Sequence, residues 1–207
     1  MTTRDQLRRE LRLQRARLTP GDRRAAALAA ANRVSTTSAF RRAERVAGYI
    51  PVGGELDPGP LLERAFAADK EVYLPRLIDP PDIAMEFLRY TPETRMVANR
   101  YGIPEPPDDP DLRIPPQALD LVLVPLVAFD THGNRLGMGA GYYDRTFAFL
   151  RETTTEQPCL LGLGYEFQHV AAIDAAEWDI PLWGVATDQR LHHRILTDLS
   201  RRQETDR

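Results

Sequence analysis

Residues 120–145 decide the fold: Asp120-Leu-Val-Leu-Val-Pro-Leu-Val-Ala-Phe-Asp130, then Thr-His-Gly-Asn-Arg135-Leu-Gly-Met-Gly-Ala-Gly141-Tyr-Tyr-Asp-Arg145. The apolar, β-branched run over 120–128 reads as a buried strand. Glycines at 137, 139 and 141 then form a loop, and a short helical pattern over 141–150 follows. A strand feeding a glycine loop and a helix start is one way to hold a phosphate, because amide N–H groups can approach the anion closely. The spacing is neither a dinucleotide fingerprint nor a P-loop. A plain tight turn that needs positive φ also fits the glycines. The neighbours favour a ligand: Arg135 and Arg145 supply cations, Tyr142 and Tyr143 flat faces, and Asp144 a carboxylate suited to magnesium.

Outward from this run, helical and strand patterns alternate. Residues 4–18 read as a helix with Leu7, Leu11 and Leu18 on its apolar side. Thr19 is placed to cap a second, alanine-rich helix over 20–34, with Pro20 at its first position and Asp22 in its first turn. Strands are expected at 45–50, 71–75, 83–90, 159–163 and 184–187, and a helix at 59–68. From 188 the pattern reads helical, and 201–207 as a frayed tail. Residues 104–116 hold six prolines and read as an irregular surface loop. Alternation of this kind predicts a single α/β domain over 1–200, with a mainly parallel, Rossmann-like sheet flanked by helices and preceded by a basic N-terminal helix. Ligands then belong at the carboxyl ends of the strands, where the glycine loop leaves the most hydrophobic one.

The chain has 207 residues and a net charge of −3, which gives no general argument for nucleic acid. It shows no long uncharged apolar run and no apolar segment at Met1-Thr-Thr-Arg-Asp-Gln, so neither membrane nor export is expected. The one cysteine, Cys159, excludes an internal disulfide and lies in an apolar run. A cytoplasmic monomer is the expectation. Arg4 and Arg8 share a helix face and could clamp phosphates, or simply be solvated. Glu55 and Asp57 follow Gly53-Gly54 at a strand end; both could face a pocket, and Asp57 before Pro58 also suits a cap for the next helix. The histidines, His132, His169, His192 and His193, lack metal-ligand spacing and read as surface or helix positions.

The run Asn134-Arg-Leu-Gly-Met-Gly-Ala-Gly-Tyr-Tyr-Asp-Arg145 closely resembles the signature of the 5-formyltetrahydrofolate cyclo-ligase (methenyltetrahydrofolate synthetase) family. The resemblance spans nearly the whole chain. Arg4-Asp-Gln-Leu-Arg8, Gly54-Glu-Leu-Asp57, Val72-Tyr-Leu-Pro-Arg76, Met85-Glu-Phe87, Tyr101-Gly-Ile-Pro-Glu-Pro106, Leu161-Gly-Leu-Gly-Tyr165 and Gln168 fall in the family's order. It implies ATP- and Mg²⁺-dependent cyclisation of 5-formyltetrahydrofolate to 5,10-methenyltetrahydrofolate. By resemblance Arg4, Arg8 and the segment Arg135, Leu136, Gly137, Met138, Gly139, Ala140, Gly141, Tyr142 and Tyr143 border ATP. Ile50, Glu55 and Met138 through Tyr142 border the folate, Asp144 binds the metal, and Arg135 and Arg145 assist the chemistry. Two positions depart from the family pattern. Ala140 stands where bacterial members usually have glycine, and Trp183 stands where Asp-x-Pro-x-Asp has its second aspartate, a magnesium ligand in some members. A non-catalytic binder and an ATP-dependent enzyme on another small molecule are the rival readings.

Overall fold

The computed structural model describes residues 3–78, 84–152 and 157–195. Two helices lead the chain, α1 (Arg4–Ala16) and α2 (Pro20–Ser35). Each starts at a threonine, Thr3 or Thr19, whose hydroxyl accepts the amide three residues on, while the side chain of Gln6 or Asp22 accepts the threonine's own amide. Such reciprocal caps satisfy two orphan donors, and a cap is worth about 1 kcal/mol. After α3 (Ser38–Arg42) and β1 (Arg45–Ala47) comes α4 (Gly59–Ala67), then β2 (Glu71–Leu77) and β3 (Met85–Arg89). Pro58 is the N-cap of α4, and Asp57, expected to cap it, stands one residue earlier, where its Oδ1 accepts the Gly59 amide at 2.8 Å.

Three two-residue strands, β4 (Val97–Ala98), β5 (Pro104–Glu105) and β6 (Arg113–Ile114), precede the central β7 (Leu121–Pro125). The chain continues through β8 (Ala128–Phe129), β9 (Arg135–Leu136), α5 (Tyr142–Thr146), β10 (Cys159–Leu163), β11 (Gly184–Ala186) and β12 (Leu191–His193). Among the described residues eight strands form one sheet in the order β12-β11-β10-β7-β1-β2-β3-β6. The five central strands are parallel, and β12, β3 and β6 each pair antiparallel with the strand before them in sequence within the sheet. The fold is therefore the expected α/β one.

β7 lies between β1 and β10 with both faces covered, so its pattern is continuously apolar. Leu121 and Leu123 meet Ala30, Val34, Leu61 and Ala65 of α2 and α4, while Val122 and Val124 meet Phe87, Phe129 and Phe147 on the other face. No helix among the described residues is long and apolar enough to cross a membrane.

Four expectations change. The strand over 120–128 stops at Pro125, and residues 127–136 fold into a small β8–β9 hairpin closed by Val127 N donating to Leu136 O at 2.7 Å. Residues 191–193, read as helical, instead form β12 against β11. Thr187 decides this: its hydroxyl accepts the amides of Gln189 and Arg190 at 3.2 and 3.0 Å, closing a turn that a helix could not share. The proline-rich segment is mostly irregular, as expected, but contributes β5 and β6. The helix over 141–150 ends at Thr146 and passes into a 3₁₀ turn, Ala148–Arg151. The tail 201–207 lies outside the described residues.

Candidate active site

β1 and β7 run parallel, so the segments that follow them emerge on one edge of the sheet. That edge opens into a cavity of about 1030 Å³, walled by Tyr49–Glu55 residues on one side and the glycine loop on the other. Its volume is at the upper end for small-molecule sites. Apolar side chains, Ile50, Pro75, Leu77, Met85 and Ile103, line the middle.

The glycine loop leaves β9 at Leu136. Gly139 and Gly141 take φ of +108° and +71°, which only glycine adopts without strain there. Ala140 has no positive φ, so its side chain is tolerated where the family usually has glycine. The amides of Met138, Gly139, Ala140 and Gly141 donate to no acceptor among the described residues. These four residues line the cavity, and amides without a protein acceptor in successive loop residues are the kind of donor set that can take an anion.

Arginines surround this loop. Arg8 Nε donates to Gly137 O at 3.0 Å and its Nη1 to Asp5 at 2.6 Å, so α1 is tied to the loop. Arg4 pairs with Asp179 at 3.2 Å, and both line the cavity. Arg145 is exposed, and its Nη1 donates to Ala140 O at 2.5 Å. Arg135 is buried; its Nη2 donates to Asp144 Oδ1 at 2.6 Å and its Nη1 to the Ile180 carbonyl. The Ile180 amide donates to the same Asp144 oxygen at 3.0 Å. Asp144 Oδ2 has no partner among the described residues. No cluster of three or more metal-ligating side chains exists among them, so a metal here would rest on this one carboxylate, ligand phosphates and water.

At the other end stands Glu55, a buried carboxylate on the cavity wall. Oε2 accepts the Val52 amide at 3.0 Å. Burial pushes its carboxyl above the ordinary value, against the lowering by the Val52 amide and the Arg15 charge. Tyr143 lies between the two ends, its phenol pushed up chiefly by burial and next by the Glu55 charge. Its ring stacks on Phe147, whereas Tyr142 stands at the mouth, where its hydroxyl accepts from Arg100 and lies 3.4 Å from that of Tyr101.

Thus Arg4, Arg8, Ile50, Glu55, Arg135, Gly137 to Gly141, Tyr142, Tyr143, Asp144 and Arg145 share one cavity. Leu136 does not: its side chain is fully buried with Leu11, Val127, Ala128 and Ile173 beneath α1. Trp183 is also elsewhere, packed with the α2–α4 core and lining a separate groove with Arg33 and His193. A carboxylate at 183 would therefore not reach a metal on Asp144. Asp179 stands on the cavity wall, while Asp188 is absent from it and accepts the Glu166 amide at 2.8 Å. His169 and His192 are half-buried rather than surface residues, packed on Phe129, with His192 3.0 Å from Glu166.

Sequence reasoning missed two groups. The β4–β5 hairpin brings Asn99, Tyr101 and Glu105 to the cavity, and Glu105 is buried, accepting from Leu77 N and Asn99 Nδ2 at 3.1 and 3.0 Å. Arg15 is fully buried behind the wall, donating to Gly53 O at 2.9 Å and Leu126 O at 3.4 Å. Its spacing from Arg4 and Arg8 along one helix face was the available signal.

A family model described as the 5-formyltetrahydrofolate cyclo-ligase family matches residues 1–188. The chain belongs to the 5-formyltetrahydrofolate cyclo-ligase family. Within it, a cyclo-ligase of Escherichia coli strain K12 is 39% identical over 181 residues, covering 87% of this chain and 98% of the relative. A Haemophilus influenzae cyclo-ligase is 36% identical over 182 residues, covering 88% and 96%. The solved structure of 5,10-methenyltetrahydrofolate synthetase from Aquifex aeolicus superposes with a TM-score of 0.76 at 28% identity, covering 98% of each chain. The residues matched by the family model, 1–188, include all those that line the cavity.

Proposed function

We propose that this protein is an ATP- and Mg²⁺-dependent 5-formyltetrahydrofolate cyclo-ligase, releasing 5,10-methenyltetrahydrofolate, ADP and phosphate. One observation carries the reading: a single cavity is lined both by a glycine loop with arginines around it and by a buried carboxylate, Glu55, held by the segment after β1. The Glu55 carboxylate suits paired N–H groups of a pterin. The Met138–Gly141 amides with Arg8 suit the phosphates. Ile50, Leu77 and Met85 offer flat apolar walls between them.

A formamide oxygen is a poor leaving group. In the proposed reaction it takes the γ-phosphoryl group of ATP and ADP departs. N10 of the folate then attacks the formyl carbon, N10 loses its proton, and the C–O bond breaks as phosphate leaves. The nucleophile belongs to the substrate, so the site needs no serine, cysteine or histidine. Its work is alignment and charge stabilisation. Magnesium supplies charge neutralisation on the phosphates when bound, with Asp144 its protein ligand. Arg135 fixes Asp144, and Arg145 holds the loop at Ala140. The reading takes the chain as a cytoplasmic monomer acting on a small molecule and not on nucleic acid, in keeping with a net charge of −3.

The test is a spectroscopic assay with 5-formyltetrahydrofolate and MgATP, following methenyltetrahydrofolate absorbance and ADP together. Both products in equal amount are expected. ADP alone would indicate a different acceptor, and folate binding with neither product would indicate a non-catalytic binder.

A further inference from the structure

Arg15 is among the largest fully buried side chains of the molecule, at 1% exposure. Taking a guanidinium out of water costs several kcal/mol, so a buried one without a paired carboxylate calls for a reason. Its donors reach two pieces of chain that diverge in sequence: Nε to Gly53 O at 2.9 Å and Nη1 to Leu126 O at 3.4 Å. Leu126 follows β7 and lines the cavity, as does Glu55 two residues after Gly53. Gly53 and Gly54 have φ of +55° and +76°; the turn is closed by Glu55 N donating to Val52 O at 3.1 Å, and Tyr165 OH donates to Gly54 O at 3.2 Å, so Arg15 is the charged group that ties it to the end of β7. Arg15 Nη2 is buried with no partner among the described residues.

We propose that Arg15 is a positioning residue: it locks the turn that carries Glu55 against the end of β7 and so sets the folate end of the cavity. The inference rests on Glu55 being the folate-binding carboxylate. Arg15 touches no reacting atom. It acts through the Gly53 carbonyl on the placement of Glu55 and, through its charge, on the ionisation of that carboxyl. Facing Glu55 are Arg15 from α1, Tyr49 after β1, Tyr143 from α5 and the Val52 amide; of these only Arg15 is positively charged. A residue that only filled space would influence stability but neither of these properties.

The test uses the full chain with Arg15→Met, which keeps length and loses charge and donors, and Arg15→Lys, which keeps charge and loses the fork. In Arg15→Met, KM for 5-formyltetrahydrofolate should rise about tenfold, the equivalent of one displaced carboxylate contact, with a smaller change for MgATP. Carbon-13 NMR titration of the Glu55 side chain should move to higher pH in Arg15→Met and return towards wild type in Arg15→Lys. Wild-type KM (within about twofold) together with an unmoved Glu55 titration would overturn the proposal, whatever happens to the melting temperature. If Arg15→Met does not fold, Arg15→Lys decides: a raised KM supports the fork's role, and a wild-type KM refutes it. The titration needs no turnover. If the wild-type protein makes no methenyl product, the functional reading fails and the Glu55 titration still judges Arg15.

Discussion

Removing Asp144 should destabilise the protein as well as stop turnover, because its carboxylate is the partner of a buried arginine. Arg135 has a side chain only 5% exposed, against 22% for Asp144. Asp144→Ala deletes the bond to Arg135 Nη2 at 2.6 Å and the bond from Ile180 N at 3.0 Å. It leaves the guanidinium in place with only the Ile180 carbonyl. Breaking a fully buried pair from one side costs about 3–5 kcal/mol, and the partial exposure of Asp144 lowers this case to about 2–3 kcal/mol. For a chain of this size that is a melting-temperature drop of about 5–10 °C. Arg135→Met alone leaves Asp144 able to find water and should cost less. The double variant should recover part of the loss, with a coupling energy of about 1–2 kcal/mol in a cycle measured by urea unfolding. Additive effects, or an Asp144→Ala cost under about 0.5 kcal/mol, would refute the idea that this pair holds the 180 segment to the glycine loop.

Other expectations follow from the same geometry. Asp144→Asn should fold and keep the Ile180 contact, yet lose turnover with MgATP by at least about a hundredfold; near-normal magnesium dependence would remove Asp144 from the site. Gly139→Ala meets no atom closer than Arg8 at 3.9 Å but must adopt φ +108°, so strain of about 1–3 kcal/mol should appear in chemical denaturation, while Ala140→Gly should cost under about 1 kcal/mol. Glu55→Gln should raise stability at neutral pH: the folded-state value of Glu55 lies above its unfolded one, so its contribution is fully present below the unfolded value and is lost as pH rises through the folded one. The wild-type minus Glu55→Gln stability difference should therefore fall with pH over that window, and a flat difference in pH-dependent unfolding would contradict it. Trp183→Asp should destabilise by about 2–4 kcal/mol and leave magnesium dependence unchanged, which a magnesium titration of turnover would check.

The parts of this molecule legible in sequence were those decided locally or by continuous burial. β7 announced itself because both faces are covered, and Thr19-Pro20 announced α2 because a cap is a short-range device. The glycine loop and Arg8 were visible through spacing and resemblance. β12 was not, because the turn made by the Thr187 hydroxyl outweighs the helical period that follows it. β8 and β9 are two residues each, too short to show a period, and their pairing sends Leu136 into the core beneath α1 while its neighbours face the cavity. Arg15 looked like any other arginine of a basic helix. Only the packing of α1 against two strand ends removes it from water. Trp183 occupies a position that resemblance gave to a metal, and the alternation of sides along the chain turns it to the other face of the sheet.

The proline-rich segment has a further consequence, for the behaviour of many molecules together. It delivers β6, which ends the sheet beyond β3 and is only two residues long. Pro115 and Pro116 follow at once, and neither has an amide N–H to offer. Arg113, within β6, is drawn into ion pairs with Glu86 at 3.0 Å and with Asp108. A short, charged border with missing donors gives a second chain almost nothing to add a strand to. On this side the hydrophobic strands at the centre of the sheet are shielded from edge-to-edge addition of another chain in a crowded solution.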